Sequence, residues 1–167
     1  MAGNSLIRFE TSHGDFTVEL YAEEAPESVA NFLAYVDAEF FDGTIFHRIV
    51  PGFVIQGGGL DQEFRSKKTR EPIRNEAKNG LKNLRGTLSM ARTSVIDSAT
   101  SQFFVNLADN AFLDNSARDF GYAVFGRVTD GMDAIDAIAR VATGRRQGHQ
   151  DAPLEDVLIV SARRLVD

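Results

Sequence analysis

The segment FHRIVPGFVIQGGG, residues 46–59, carries the strongest structural signal in the chain. Alternation around Arg48 predicts a β-strand, Pro51-Gly52 predicts a turn, and the residues from Phe53 to Gln56 predict a second strand. If the two strands pair, Arg48, Phe53 and Gln56 converge on one side of a hairpin. A guanidinium beside an aromatic ring and an amide suits a neutral, partly apolar ligand that carries one polar atom.

Arg48 on its own admits a simpler interpretation. A long basic side chain can lie along the wall of a barrel with its charge in water, and for an isolated arginine that role is the more common one. The glycines at 57–59 lack the Lys-Ser/Thr of a phosphate loop and the G-x-G-x-x-G spacing before a helix. They predict a bulge or a close approach of the backbone instead.

Composition limits the class of protein. A chain of 167 residues with 43% hydrophobic content predicts a single globular domain, residues 1–167. The net charge of −6 argues against nucleic-acid binding, and the lack of cysteine excludes disulfides and suits a reducing compartment. The segment after Met1 does not resemble a signal peptide, and no apolar run is long enough to span a membrane. We therefore expect a cytoplasmic protein without membrane contact.

The hydrophobic pattern predicts eight short strands and two helices. One helix starts at Pro26 and has apolar residues at helical spacing as far as Phe40, and the other is expected to be capped by Asp130. The polar stretch from Leu60 to Arg85 predicts a long loop. This pattern is typical of a mainly β fold, a barrel or sandwich whose openings the helices cover. The predicted strands span residues 5–11, 16–20, 46–49, 53–56, 86–91, 102–107, 121–128 and 156–166.

Motifs for covalent catalysis are missing from the sequence. There is no G-x-S-x-G motif, so the serines between residues 89 and 101 are expected to be turn or strand hydroxyls. The three histidines are far apart in sequence, which argues against a metal site, and His47 is expected to be a hydrogen-bonded structural residue on the face opposite Arg48. We expect no metal and no cofactor. The function is then either plain binding or a reaction that breaks no covalent bond.

Four motifs resemble the cyclophilin family of prolyl cis-trans isomerases, particularly its small bacterial members. They are FHRIVPGFVIQGG at 46–58, GTLSMAR at 86–92, SQFFVNL at 101–107 and GYAVFGRV at 121–128. The resemblance extends over essentially the whole chain. It implies a closed eight-stranded antiparallel β-barrel capped by two α-helices. It also implies an enzyme that rotates X-Pro peptide bonds in unfolded or flexible protein segments and so assists folding.

The same resemblance implies which residues form the site. Arg48 matches the catalytic arginine, with Phe53 and Gln56 as its aromatic and amide neighbours. The residues expected to bind substrate are Val54, Ala91, Arg92, Gln102, Phe104, Phe112, Leu113 and Tyr122. Three positions depart from the common family pattern, because Val54 replaces a usual methionine, Phe112 replaces the tryptophan of many eukaryotic members, and Tyr122 replaces their histidine. Phenylalanine lacks the indole N–H, so we expect cyclosporin to bind weakly.

Two other functions stay open beside the isomerase. One is a module that binds proline-containing peptides and unfolded proteins without catalysis, and the other is a serine hydrolase, which lacks its motif. The intact set of Arg48, Phe53, Gln56 and Phe104 favours the isomerase. No exposed apolar stripe is evident in the sequence, so a monomer is expected.

Overall fold

Ten strands and two α-helices are present in the computed structural model, which describes residues 4–165. The helices are α1 (Pro26–Asp37) and α2 (Met132–Ala139). The strands are β1 (Leu6–Thr11), β2 (Gly14–Leu20), β3 (Thr44–Val50), β4 (Val54–Asp61), β5 (Thr87–Met90), β6 (Phe103–Asn106), β7 (Val124–Asp130), β8 (Thr143–Arg146), β9 (His149–Pro153) and β10 (Ile159–Arg164).

Eight of these strands form one antiparallel sheet in the order β10-β1-β2-β7-β5-β6-β4-β3. Its two edge strands meet, because the N–H of Gly43 donates to the carbonyl of Ile159 at 2.9 Å and the N–H of Phe46 donates to the carbonyl of Val157 at 3.0 Å. The sheet thus curls into a nearly closed barrel, which leaves few strand-edge groups unpaired. The predicted eight-stranded antiparallel barrel with two helices is confirmed.

Phenylalanine rings fill the interior of the barrel. Phe9 stacks on Phe16 with 4.8 Å between ring centroids, and Phe32 of α1 meets Phe103 edge-on at 5.4 Å. All four residues are at most 1% exposed. Stacked and edge-to-face pairs are favourable arrangements for aromatic rings, so the apolar stripe predicted for α1 locks this helix onto the barrel core.

The first turn of α1 is capped from a distant part of the chain. Pro26 opens the helix as predicted, but the residue before it, Ala25, offers no capping side chain. The carboxylate of Glu76 accepts hydrogen bonds from the N–H groups of Glu27 at 3.1 Å and Ser28 at 2.7 Å. A negative charge here also opposes the positive end of the helix dipole. The long loop after β4 therefore supplies the cap of α1.

The start of α2 differs from the prediction. Asp130 is the last residue of β7, and the capping position belongs to Gly131, which has a φ of +89° and makes no side-chain cap. A Cβ atom at Gly131 would collide with the carbonyl of Asp15 and with Phe16. The prediction of an Asp130 cap was wrong because this turn needs a left-handed residue with no side chain.

Several helix and strand boundaries also differ from those predicted from the sequence. Helix α1 ends at Asp37, so Phe40 lies beyond it and packs on Tyr35 with 4.7 Å between ring centroids. The hairpin formed by β8 and β9 was not predicted, and it packs against β3. Val166, the end of the predicted final strand, lies outside the described residues. Within residues 4–165 no helix is long and apolar enough to cross a membrane.

Candidate active site

The hairpin of β3 and β4 brings the first three predicted site residues together. Arg48 and Gln56 are paired across the two strands, and Arg48 Nη1 donates to Gln56 Oε1 at 3.4 Å. Phe53 lies in the turn before β4, with its ring centroid 5.9 Å from Arg48 Cζ. Gln56 Nε2 in turn donates to Gln102 Oε1 at 3.0 Å. The convergence predicted from the sequence is confirmed, and Gln102 extends it into a chain of amides.

The glycines after Gln56 allow this arrangement. A Cβ atom at Gly57 would lie 2.6 Å from the carbonyl of Ile45, and one at Gly59 would lie 2.5 Å from Cγ of Gln102. Both distances are too short for a Cβ atom, so a side chain at either position would force its neighbour to move. The close approaches expected from the glycine run are present, and Gly59 makes the room in which Gln102 reaches Gln56.

A pocket of about 330 Å³ opens beside Arg48. Its floor is a small buried cluster of Val54, Phe104 and Leu113, which are 2%, 4% and 9% exposed. The Tyr122 ring meets Phe104 nearly edge-on at 5.6 Å. The complete lining consists of Arg48, Phe53, Val54, Gln56, Ala91, Arg92, Phe104, Leu113 and Tyr122. All of these were among the predicted site residues.

Two predicted site residues lie outside this lining. Gln102 borders a smaller neighbouring pocket of about 140 Å³, while its side chain holds Gln56. Phe112 is 72% exposed and stacks on Phe53, with 5.5 Å between ring centroids and an interplanar angle of 20°. In this arrangement Phe112 supports the pocket aromatic from outside and leaves a large apolar surface free.

Within residues 4–165 Arg48 has no acidic partner. Among the described residues its side-chain hydrogen bond goes to a neutral amide, Gln56, and it takes part in no ion pair. Its guanidinium is partly exposed next to the apolar pocket. Because arginine stays protonated throughout the physiological range, the site presents a permanent and available hydrogen-bond donor.

His47 precedes Arg48 in β3, and its ring is buried against His149 of β9. It is 6% exposed, its ring centroid lies 5.9 Å from that of His149, and burial lowers its pKa to about 4, with smaller contributions from His149 and Arg48. Its Nδ1 atom has no partner among the described residues. The burial of His47 agrees with the structural role expected for it.

A buried network of asparagines supports the pocket, and sequence reasoning missed it. Asn110 Nδ2 donates to the carbonyl of Phe53 at 3.0 Å and to Asn106 Oδ1 at 2.9 Å, and Asn106 Nδ2 donates to Asn83 Oδ1 at 3.1 Å. Asn83 also donates from its side chain to Asp114 Oδ1 at 2.9 Å. The network therefore fixes the turn that carries Phe53 and the segment next to Leu113. The sequence feature that could have indicated this network is Asn106, an amide residue within an apolar strand.

An eight-stranded antiparallel barrel with a pocket beside Arg48 can be compared with known proteins. The family model described as "Cyclophilin type peptidyl-prolyl cis-trans isomerase/CLD" matches residues 6–164. The chain belongs to this family of isomerases.

Individual relatives cover nearly the whole chain. Peptidyl-prolyl cis-trans isomerase B of Escherichia coli is 53% identical over 159 residues, which is 93% of this chain and 97% of the relative. Peptidyl-prolyl cis-trans isomerase A of Dickeya dadantii is 54% identical over 157 residues, 94% of this chain and 83% of the relative.

Solved structures agree with the fold. A cyclophilin-type peptidyl-prolyl cis-trans isomerase of Cryptosporidium parvum superimposes with a TM-score of 0.82 at 25% identity, covering 98% of this chain and 99% of that one. A structure of the same protein in the presence of the dipeptide Ala-Pro gives a TM-score of 0.81 at 26% identity, with 97% and 99% coverage.

Proposed function

We propose that this protein catalyses cis-trans isomerisation of X-Pro peptide bonds in unfolded or flexible protein segments, with Arg48 as the catalytic cation, and so assists folding. The observation that carries the proposal is the unneutralised Arg48 guanidinium beside an apolar pocket of about 330 Å³. A ring the size of proline suits the pocket, and the arginine suits the single polar atom next to the ring.

The chemistry follows from the physics of the amide bond. Rotation about X-Pro must break amide resonance, and the barrier of about 20 kcal/mol makes the uncatalysed step take tens to hundreds of seconds. In the twisted transition state the proline nitrogen regains its lone pair and accepts a hydrogen bond that the planar amide cannot accept. A donor placed there by Arg48 binds the transition state more tightly than either ground state, which is the requirement for catalysis.

The remaining site residues have two roles, because some hold Arg48 and others bind the substrate. Phe53 and Gln56 flank Arg48, and the amide oxygen of Gln56 holds the guanidinium through a hydrogen bond. Rates in the millisecond range require an acceleration of about 10⁴ to 10⁵, equivalent to roughly 5.5 to 7 kcal/mol. One hydrogen bond is too weak for this, so the apolar walls must hold the ring and exclude water. The residues proposed to bind substrate are Val54, Ala91, Arg92, Gln102, Phe104, Phe112, Leu113 and Tyr122.

Exchange NMR on a short Ala-Pro peptide tests the proposal. Wild-type protein should give rapid cis-trans exchange, and Arg48→Ala should lose most of it while still binding the peptide. Arg145→Ala removes an exposed arginine outside the pocket lining and is the matched control. Thermal denaturation of each variant separates loss of folding from loss of catalysis. Equal exchange with wild type and Arg48→Ala would contradict the catalytic role of Arg48, whereas peptide binding by the wild type without accelerated exchange would favour a binding module.

Further properties are proposed with the same function. The protein acts as a monomer, a single domain and a cytoplasmic enzyme, and the lack of cysteine is compatible with that compartment. Cyclosporin binds weakly, because Phe112 offers no N–H donor. Isothermal titration with cyclosporin against wild type and Phe112→Trp measures this effect, and tight binding by the wild type would contradict it.

A further inference from the structure

A second groove adjoins the proposed proline pocket. It has a volume of about 570 Å³ and shares Arg92 and Tyr122 with the pocket. Beyond these two residues its lining includes Ile96, Arg118 and Phe120. The two cavities have a common wall, so the groove lies next to any peptide whose proline occupies the pocket.

The walls of this groove are held in place by buried hydrogen bonds. Asn75, which is 8% exposed, donates from Nδ2 to the carbonyls of Ile96 at 3.3 Å and Gly121 at 3.1 Å. Arg92 Nε donates to the same Gly121 carbonyl at 3.1 Å. The two loops that face each other across the groove are therefore linked through one asparagine. A preformed groove costs a ligand little ordering of the protein.

Two arginines line the groove, and they differ in whether a carboxylate pairs with them. Arg92 is nearly buried, pairs with Asp119 at 3.2 Å, and lies with Cζ 4.7 Å from the centroid of the Tyr122 ring. Its charge is thus compensated. Arg118 is exposed, and among residues 4–165 no carboxylate lies within ion-pair distance of it. The groove therefore offers one uncompensated guanidinium, with the apolar surfaces of Ile96 and Phe120 nearby.

We propose that this groove binds an acidic side chain of the substrate, preferably glutamate, next to the isomerised proline. The Arg118 guanidinium pairs with the carboxylate, and Ile96 and Phe120 cover the methylene groups that make glutamate longer than aspartate. The inference rests on the proposed function, since the proline fixes the peptide beside the groove. The net charge of −6 would by itself favour basic peptides, so a preference for glutamate must have a local cause.

A peptide series tests this inference. Glu, Gln or Lys is placed at each of the two positions before and after the proline, and the affinity of each peptide is measured by NMR titration beside its exchange rate. At one of these positions wild-type protein should bind the Glu peptide about two- to five-fold more tightly than the Lys peptide, the range for partly exposed ion pairs. Raising the salt concentration should reduce that ratio.

Two charge reversals provide the decisive comparison. Arg118→Glu should invert the preference, whereas Arg145→Glu, which changes the net charge equally outside both cavities, should preserve it. Arg118→Gln should abolish the preference and serves if the reversal perturbs folding. An identical Glu-to-Lys ratio in wild type and Arg118→Glu would overturn the inference even with catalysis intact. Binding with this preference but without exchange would overturn the proposed function alone.

Discussion

Mildly acidic pH should destabilise the barrel through protonation of His47. The imidazole is 6% exposed, and burial lowers its pKa from 6.5 to about 4, with His149 and Arg48 contributing less. Because the folded state has the lower pKa, the unfolded chain binds more protons between pH 4 and 6.5, so the free energy of unfolding falls as the pH falls through this window. The full difference amounts to roughly 3 kcal/mol, of which about 2 kcal/mol is lost between pH 7 and 5.

Urea denaturation at pH 7, 6 and 5 measures this effect. Wild-type protein should lose stability over this range, and His47→Gln should lose about 2 kcal/mol less. Only the change with pH is compared, so any loss caused by the substitution itself cancels. Carboxylates with lowered pKa values, such as Asp37 and Asp42 beside their arginine partners, lose their contribution mainly below this range.

A second histidine supplies the control for this experiment. His13 lies in the turn of the first hairpin and is partly exposed, so His13→Gln removes one imidazole without changing the buried surroundings of His47. Parallel stability curves for wild type and His47→Gln would refute the reasoning, because they would mean that His47 is not a source of the acid sensitivity.

Three other substitutions probe the supports of the site and fold. Asn110→Asp removes the donor to the Phe53 carbonyl. We expect a loss of stability of about 1 to 3 kcal/mol in urea denaturation and a lower cis-trans exchange rate in NMR. An unchanged exchange rate would contradict the supporting role of this asparagine. Gly59→Ala forces Gln102 aside, so exchange should slow several-fold while the melting temperature changes little, because a flexible side chain yields at small cost. Glu76→Ala should lower the free energy of unfolding by about 1 kcal/mol and leave peptide affinity unchanged, and wild-type stability would show that the cap is dispensable.

Much of the barrel could be predicted because its strands carry local patterns. The hairpin of β3 and β4 was recognised from alternation around Arg48 and from the Pro51-Gly52 turn, and its pairing then fixes the site geometry. The β8–β9 hairpin was not predicted because residues 143–153 are largely polar and show no regular alternation of polar and apolar residues. Its packing against β3 is decided by tertiary contacts.

Polar contacts between residues far apart in the sequence were the second kind of feature that could not be predicted. Glu76 caps a helix 49 residues earlier in the chain, and no local rule connects it with Glu27. The asparagine network similarly joins residues that are up to 57 positions apart. Phe112 matched a family position, but the sequence could not show that the ring stacks outside Phe53. Local alternation thus predicted the group around Arg48 and the family resemblance supplied the other pocket residues, whereas the hydrogen bonds that support the pocket became visible only in the folded chain.

The contact between the edge strands β3 and β10 determines when the barrel can close during synthesis on the ribosome. Strand β10 supplies the partner for β1 and for the far edge of the sheet, yet it is translated after every other strand described. A nascent chain that stops before Ile159 must therefore leave two strand edges bare, and the aromatic interior stays open to water. Protease resistance of ribosome-bound chains should rise sharply only when residues 159–164 have left the exit tunnel, and earlier resistance would contradict this order. An enzyme proposed to assist the folding of other chains would itself complete folding only after β10 has emerged from the ribosome.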